Sequence, residues 1–343
     1  MTIALPDGRR SEIAIGGRIR DIGKYAGEKR VFILTNPEVF ELYGDAFPAG
    51  AAVVLLPPGE KNKTLDTVSA AVSRLIEEGA DRESLIAGVG GGIVCDMTGF
   101  IASIYMRGVR FGFVPTTLMA QVDASVGGKN GVNHEGYKNM IGVFNQPDFV
   151  LCDTETLRTL PERELKSGLA EVVKSALIAD AALFEYLENR LGDILERSKE
   201  VLDFIVERSL RIKAKIVEAD EREAGERRKL NLGHTLGHAI EKLSDNAFLH
   251  GEAVGAGLAL AARLSNRLGL LADGELSRIL RLLTAAGLPV AVPIEIALLL
   301  EAAEKDKKKQ GDSLHFVLNK GIGDSIVKKM SCGELRALFG DAG

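Results

Sequence analysis

ESLIAGVGGGIVCDMTGFIASIY, residues 83–105, decides how the first half of the chain is read. An apolar run ends among Gly88, Gly90, Gly91 and Gly92, and residues at helical spacing follow. The pattern predicts a buried strand, a tight turn and a helix. Such a turn sets bare backbone N–H groups at a helix N-terminus, where a pyrophosphate can approach because no Cβ intervenes. It is not the usual GxGxxG fingerprint, because the third glycine would fall on Ile93 and the turn follows a late strand.

On either side of this stretch, RVFILTN (30–36), AAVVLL (51–56) and VRFGFVP (109–115) read as further buried strands, and TLDTVSAAVSRLIEEG (64–79) reads as a helix that stops at Gly79. Strands alternating with helices predict a parallel α/β layer. A second turn, PPGEKNK (57–63), puts Glu60 and Lys63 within reach of ribose or phosphate groups. From Pro161 the apolar residues recur at helical spacing, so the second half is expected to be mostly helical. SLHFVLNKGIGDSIVKK (313–329) predicts a small hairpin with Gly321 and Gly323 in its turn. The boundary falls near 155, in the polar run CDTETLRTLPERE.

The 343 residues, 46% hydrophobic and 27% charged, suit two or three ordinary globular domains and exclude a disordered or fibrous chain. A net charge of -5 argues against a nucleic-acid partner, so an anionic ligand must meet a local basic pocket. Cys95, Cys152 and Cys332 lie far apart, which excludes a disulfide framework or a thiolate zinc site and fits a reducing cytoplasm. No membrane partner is expected: the first residues lack a signal-like pattern, and the most apolar stretch, Val254 to Leu271, is interrupted by Arg263 and Arg267.

Three of the five histidines, His234, His238 and His250, fall within seventeen residues. His234 and His238 share a helix face. Two imidazoles and a carboxylate would suit a catalytic zinc with an open position, and Glu171, Glu241 and Glu252 all qualify as the carboxylate. VPTTLMAQVDASVGGKNGVNHEGYKNMIGVFNQP (114–147) holds too many Gly and Asn for a long helix or strand and reads as an ordered loop packed over a site. Its Lys129 and Lys138, like Lys174, Lys213 and Arg227 elsewhere, would each be solvated if taken alone. The mixed-charge run EADEREAGERRK (218–229) reads by default as a solvated segment.

GGGIVCDMTGF, YMRGVRF, PTTLMAQVDASVGGKNGVN, KNMIGVF, LPERELKSGLAEVVK, DEREAGERRKLNLGHTLGHAIE and HGEAV together resemble the 3-dehydroquinate synthase family of the sugar phosphate cyclase superfamily, over at least residues 57–320. The resemblance implies an α/β fold in two domains: a Rossmann-like, parallel-sheet NAD domain over 1–155 and a mostly α-helical metal- and substrate-binding domain over 156–343. It also implies a homodimer. Glu171, His234 and His250 would hold Zn²⁺ or Co²⁺, with His238 a neighbour that does not ligate. NAD would lie against Gly90, Gly91, Gly92 and Asp96, with Glu60, Lys63, Thr116, Thr117, Lys129, Lys138 and Thr159 also at its site. Lys129, Lys138, Asn139, Asp123, Arg107, Lys174, Lys213, Arg227, Asn231 and one of Lys307 or Lys308 would meet the substrate, 3-deoxy-arabino-heptulosonate 7-phosphate, whose phosphate and carboxylate require cations. Lys213, Arg227 and Asn231 favour such a substrate over those of the valiolone- and inosose-forming cyclases and of the metal-dependent polyol dehydrogenases. Cys95 and Tyr137 stand where relatives commonly carry glycine; Cys95 is expected to crowd the cofactor turn slightly, and Tyr137 to alter the loop over the phosphate.

Overall fold

The computed structural model describes residues 1–4, 10–245, 247–307 and 313–340. The chain divides into two compact units, Met1–Leu160 with Leu202–Leu210, and Pro161–Val201 with Arg211–Gly343.

The strands of the first unit are β1 (Thr2–Ala4), β2 (Arg10–Ile15), β3 (Val31–Thr35), β4 (Ala52–Leu55), β5 (Leu85–Gly90), β6 (Arg110–Pro115), β7 (Lys129–His134), β8 (Tyr137–Phe144) and β9 (Phe149–Cys152). Its helices are α1 (Ile22–Ala26), α2 (Pro37–Tyr43), α3 (Leu65–Glu77) and α4 (Gly92–Ile104). One sheet runs in the order β1-β2-β9-β6-β5-β3-β4 and is parallel except for β1 against β2. β3, β5 and β9 are buried along their whole length, which is why they read as continuous apolar runs and not as alternating ones. From β3 the chain moves outward to β4, then returns to the opposite side of β3 with β5. The order therefore reverses between β3 and β5, and α/β sheets bind ligands beyond the carboxyl ends of strands at such a point.

Helix α3 begins where the sequence predicts: Thr64 Oγ1 accepts the Thr67 N–H at 3.3 Å, and Gly79 follows its end at φ +74°. β1, β2 and β9 carried too little pattern to be foreseen. The stretch 114–147, expected as a loop, instead contains a π-helical turn at Ala120–Ala124 and the antiparallel hairpin β7–β8. Its glycines are what allow the pairing. A Cβ on Gly131 would lie 2.6 Å from the Ile141 carbonyl oxygen, and one on Gly142 would lie 2.4 Å from that of Asn130. Glu135 and Gly136, both at positive φ, make the two-residue turn.

The second unit holds α5 (Glu162–Ala179), α6 (Ala181–Leu195), most of α7 (Lys199–Ala219), α8 (His234–Leu243), α9 (His250–Arg267), α10 (Asp273–Ala285), α11 (Ile296–Lys307), the hairpin of β10 (Ser313–Asn319) and β11 (Ser325–Ser331), and α12 (Cys332–Gly340). Gly321 and Gly323 turn the hairpin at φ +96° and +85°. α9 is the apolar stretch broken by arginines. It is a buried helix, with Arg263 Nη1 donating to the Val290 carbonyl at 2.7 Å, and no described helix is long and apolar enough to cross a membrane.

Small residues bring α5, α8 and α9 together. A Cβ on Gly251 would lie 1.8 Å from the Ser167 carbonyl oxygen in α5, and one on Gly257 would lie 2.0 Å from that of Gly233, at the start of α8. Both obstacles are backbone, so a side chain could be accommodated only if the helices moved apart. Gly251→Ala is expected to destabilise the protein by about 1–3 kcal/mol, the range for overpacked sites. An unchanged denaturation midpoint would mean that α5 and α9 part freely.

Candidate active site

In the first unit, the segments that follow β4, β5, β6 and β9 leave the same carboxyl edge of the sheet, because these strands are parallel. They carry Glu60 and Lys63, Gly90 to Gly92 and Asp96, Thr116 and Thr117, and Thr159 respectively. At the turn, Gly91 caps α4 and the Thr116 N–H donates to the Gly90 carbonyl at 2.9 Å. A Cβ on Gly90 would meet Val94 at 2.7 Å, so packing as well as ligand access requires the glycine.

Lys63 is buried, and its Nζ donates to Asp96 Oδ2 and to Asn139 Oδ1, each at 2.5 Å. Residues expected at the NAD site and at the substrate site are thus joined through one ammonium. Glu60 Oε1 accepts from Asn133 Nδ2 at 2.8 Å. Thr117 Oγ1 accepts the Ala120 N–H at 3.2 Å, starting the turn that carries Asp123. Thr159 Oγ1 lies 2.5 Å from the Tyr43 hydroxyl.

Lys129, Lys138 and Asn139 sit exposed on the β7–β8 hairpin. Arg107, also exposed, follows Met106, and both are left-handed at φ +70° and +48°, a conformation that costs a side-chain-bearing residue about 1–2 kcal/mol. The Cys95 thiol donates to the Gly90 carbonyl of the glycine turn at 3.8 Å. Cys95 is wholly buried on α4, where burial pushes its thiol well above the usual range, and Tyr137 is 58% exposed.

In the second unit, Glu171 Oε1 lies 3.5 Å from His234 Nε2 and 3.5 Å from His250 Nε2. A metal bound at about 2.1 Å to tetrahedral ligands separates them by about 3.4 Å, so the three atoms are spaced as edges of such a site. Neither oxygen of buried Glu171 has a well-formed hydrogen bond, although Lys174 Nζ pairs closely with Oε2. The second ring nitrogens are already committed. His234 Nδ1 meets the Leu232 carbonyl at 3.1 Å and His250 Nδ1 meets Glu241 Oε1 at 3.4 Å, which leaves each Nε2 lone pair to face inward. The residues therefore fit a divalent cation.

Electrostatics agree with this geometry. Burial works against ionisation of Glu171, but Lys174, His234 and His250 outweigh it and hold the carboxyl well below its usual range. Burial and the Lys174 ammonium lower His234 to about 3. His250 is also penalised by burial, yet Glu171 and Glu241 raise it to about 9, so in the metal-free site it carries the proton that the carboxylates demand.

Of the three carboxylates that spacing left open, Glu171 is the one that faces both His234 Nε2 and His250 Nε2. Glu252 is occupied by Arg163 at 2.7 and 2.8 Å, and Glu241 backs His250 from the far side. His238 is exposed, with its ring centroid 5.4 Å from that of His234; His238, Glu241 and His250 form a second, overlapping group. The backing role of Glu241 escaped sequence reading because its type and position equally suited a ligand.

Lys213 and Arg227 are buried. Run 218–229 is an organised turn, not a loose solvated one: Asp220 accepts from the N–H groups of Ala224, Gly225 and Arg227 at 2.9, 2.7 and 3.1 Å. The Arg227 guanidinium donates to the Glu221 carbonyl and Asn231 Nδ2 donates to Glu223. The side chain of Lys307, and all of Lys308, lie outside the described residues.

Residues 53–167 match the family model described as 3-dehydroquinate synthase N-terminal, and residues 168–309 match the one described as 3-dehydroquinate synthase C-terminal. A 3-dehydroquinate synthase of Halorhodospira halophila is 49% identical, over 93% of each chain. One of Pelobacter propionicus is 42% identical, over 99% of this chain and 98% of the relative. Among solved structures, the 2-epi-5-epi-valiolone synthase of Streptomyces hygroscopicus subsp. jinggangensis, with NAD⁺ and Zn²⁺ bound, superposes with a TM-score of 0.88 at 28% identity, over 96% of each chain. With both halves matched and full-length relatives at this identity, the chain belongs to the 3-dehydroquinate synthase family.

Proposed function

We propose that the protein converts 3-deoxy-D-arabino-heptulosonate 7-phosphate to 3-dehydroquinate and phosphate, as a phosphate-eliminating carbon–oxygen lyase of the shikimate route to chorismate and the aromatic amino acids. Likeness along nearly the whole chain to relatives named for this activity, at 42% and 49% identity, carries the reading. The valiolone-forming enzyme shares the fold at lower identity, 28%. Lys213, Arg227 and Asn231 suit a substrate with a carboxylate, which a polyol dehydrogenase would not need.

NAD⁺, which Gly90 to Gly92, Asp96, Glu60 and Lys63 at the carboxyl edge of the first unit's sheet would hold, would supply reversible hydride transfer at C5 without being consumed. Zn²⁺ or Co²⁺, which Glu171, His234 and His250 would hold, would supply a Lewis acid to the oxidation at C5. The remaining work falls to the chain's own side chains. Lys129, Lys138 and Asn139 hold the phosphate, while Lys213 and Arg227 face the carboxylate. Once C5 is a ketone the C6 hydrogen is acidic, and the phosphate leaves by β-elimination. The departing phosphate takes that proton, so no separate protein base is required. Asp123 and His238 serve the polyol hydroxyls and the proton movements of ring opening and aldol closure. Lys174 keeps Glu171 ionised in a buried position. The family resemblance further supports a homodimer working in the cytoplasm.

Incubation with NAD⁺, Zn²⁺ and the heptulosonate phosphate should release phosphate without accumulating NADH; stoichiometric NADH, or no phosphate, would sink the reading. Removing the metal with a chelator should abolish phosphate release, and Zn²⁺ or Co²⁺ should restore it. Full turnover by chelated protein would show that the Glu171 triad is not a working metal centre. Lys129→Ala should lower turnover by about a hundredfold, the scale for losing a donor to developing charge, with metal content unchanged. Loss of metal in that variant would show that the residue acts elsewhere.

A further inference from the structure

Asn133 lies in β7, where the ladder with β8 shifts register between Val132 and His134. A bulge releases a residue from regular pairing and re-aims its groups. Here the Asn133 N–H donates not across the hairpin but to the Lys63 carbonyl at 2.8 Å. Its side-chain Nδ2 donates to Glu60 Oε1 at 2.8 Å and to the Glu60 carbonyl at 3.3 Å, and its Oδ1 accepts the Asn139 N–H at 2.9 Å. Only this orientation of the amide matches every partner, because the Glu60 atoms only accept and the Asn139 N–H only donates.

Asn139 itself is left-handed, at φ +54°, a conformation that asparagine adopts more readily than most residues but at some cost. Two contacts hold it there: Asn133 on its N–H and Lys63 on its Oδ1. Lys63 in turn pairs with Asp96 in the first turn of α4. The result is a closed circuit through Glu60, Asn133, Asn139 and Lys63 that opens onto Asp96. Each other member has a role in the proposed reaction, and Asn133 has none.

We propose that Asn133 is a positioning residue that fixes Glu60 and Lys63 of the cofactor turn in register with Asn139 on the phosphate-holding strand. This rests on reading the turn as the NAD site. Because the chain has no tryptophan, NADH fluorescence can be titrated against little protein background, and competition with NAD⁺ gives the affinity of the oxidised form. Asn133→Ala removes both side-chain links. Asn133→Asp keeps the acceptor for Asn139 but sets a carboxylate against Glu60. Each should weaken NAD⁺ binding by about tenfold, as expected for a lost bond to a charged group, while the melting temperature and metal content hold. Glu60→Gln with Asn133→Asp restores the link with donor and acceptor exchanged, and should bind NAD⁺ at least as well as Glu60→Gln alone. Unchanged affinity in both single variants, a fall in melting temperature alone, or losses from Glu60→Gln and Asn133→Asp that merely add would overturn the proposal. Failure of the unaltered protein to bind NAD⁺ would instead remove the reading of the turn, and this inference with it.

Discussion

Glu171 is a carboxylate in the interior of a helix that is buried from Leu165 to Ile178 almost without interruption. An isolated charge there would be prohibitively costly, so its surroundings must neutralise it. Lys174, one turn along α5, supplies one cation. The other comes from His250 on α9, which in the metal-free state is an imidazolium with Nε2 facing Glu171 and Nδ1 facing Glu241, while His234 on α8 stays neutral. A divalent cation can displace the imidazolium proton and satisfy the same carboxylate, which is why metal binding at such centres is coupled to proton release. The site is organised around one costly charge.

Meeting that charge sets a steric requirement on the backbone. His234 and His250 are the first residues of α8 and α9, and for their Nε2 atoms to converge on Glu171 these helices and α5 must approach closely at those ends. Gly233 enters α8 left-handed, with no room for a Cβ against Leu258; Gly257 faces its carbonyl, and Gly251 sits against Ser167. Larger residues at these positions would separate the ligands before they touched the metal. Gly233, Gly251 and Gly257, three of the chain's 38 glycines, thus serve the approach of these helices and not a phosphate contact.

What could be read from sequence follows from how far each signal reaches. β3, β5 and β6 were legible because parallel strands buried on both faces leave continuous apolar runs, β4 because this half-exposed edge strand is apolar all the same, and α3 because Thr64 and Gly79 mark its ends. The β7–β8 hairpin was not, since the glycines that let its strands approach are the same residues that argue against a strand. Two histidines of the triad stood out by clustering. Spacing could not separate Glu171 from Glu241 and Glu252, because the choice depends on what each carboxylate meets across the fold: two imidazoles, the back of His250, or Arg163. Family resemblance had named Glu171 without that geometry. The Lys63 links to Asp96 and Asn139 span 33 and 76 residues, and no local pattern records them.

Net charge says nothing of where an anion would bind, whereas the burial of individual cations is specific to position. Lysine and arginine are almost never fully buried unless something pairs with them. Among the described residues four are buried: Lys63, Lys174, Lys213 and Arg227. Sequence and resemblance had already assigned all four to cofactor or substrate, although each, taken singly, read as solvated. The charge of -5 is a sum over the whole chain, while the field a ligand meets is set by the charges close to it. Composition averages over the surface. The buried cations do not, and that is why their placement carries information about anionic ligands that the total charge conceals.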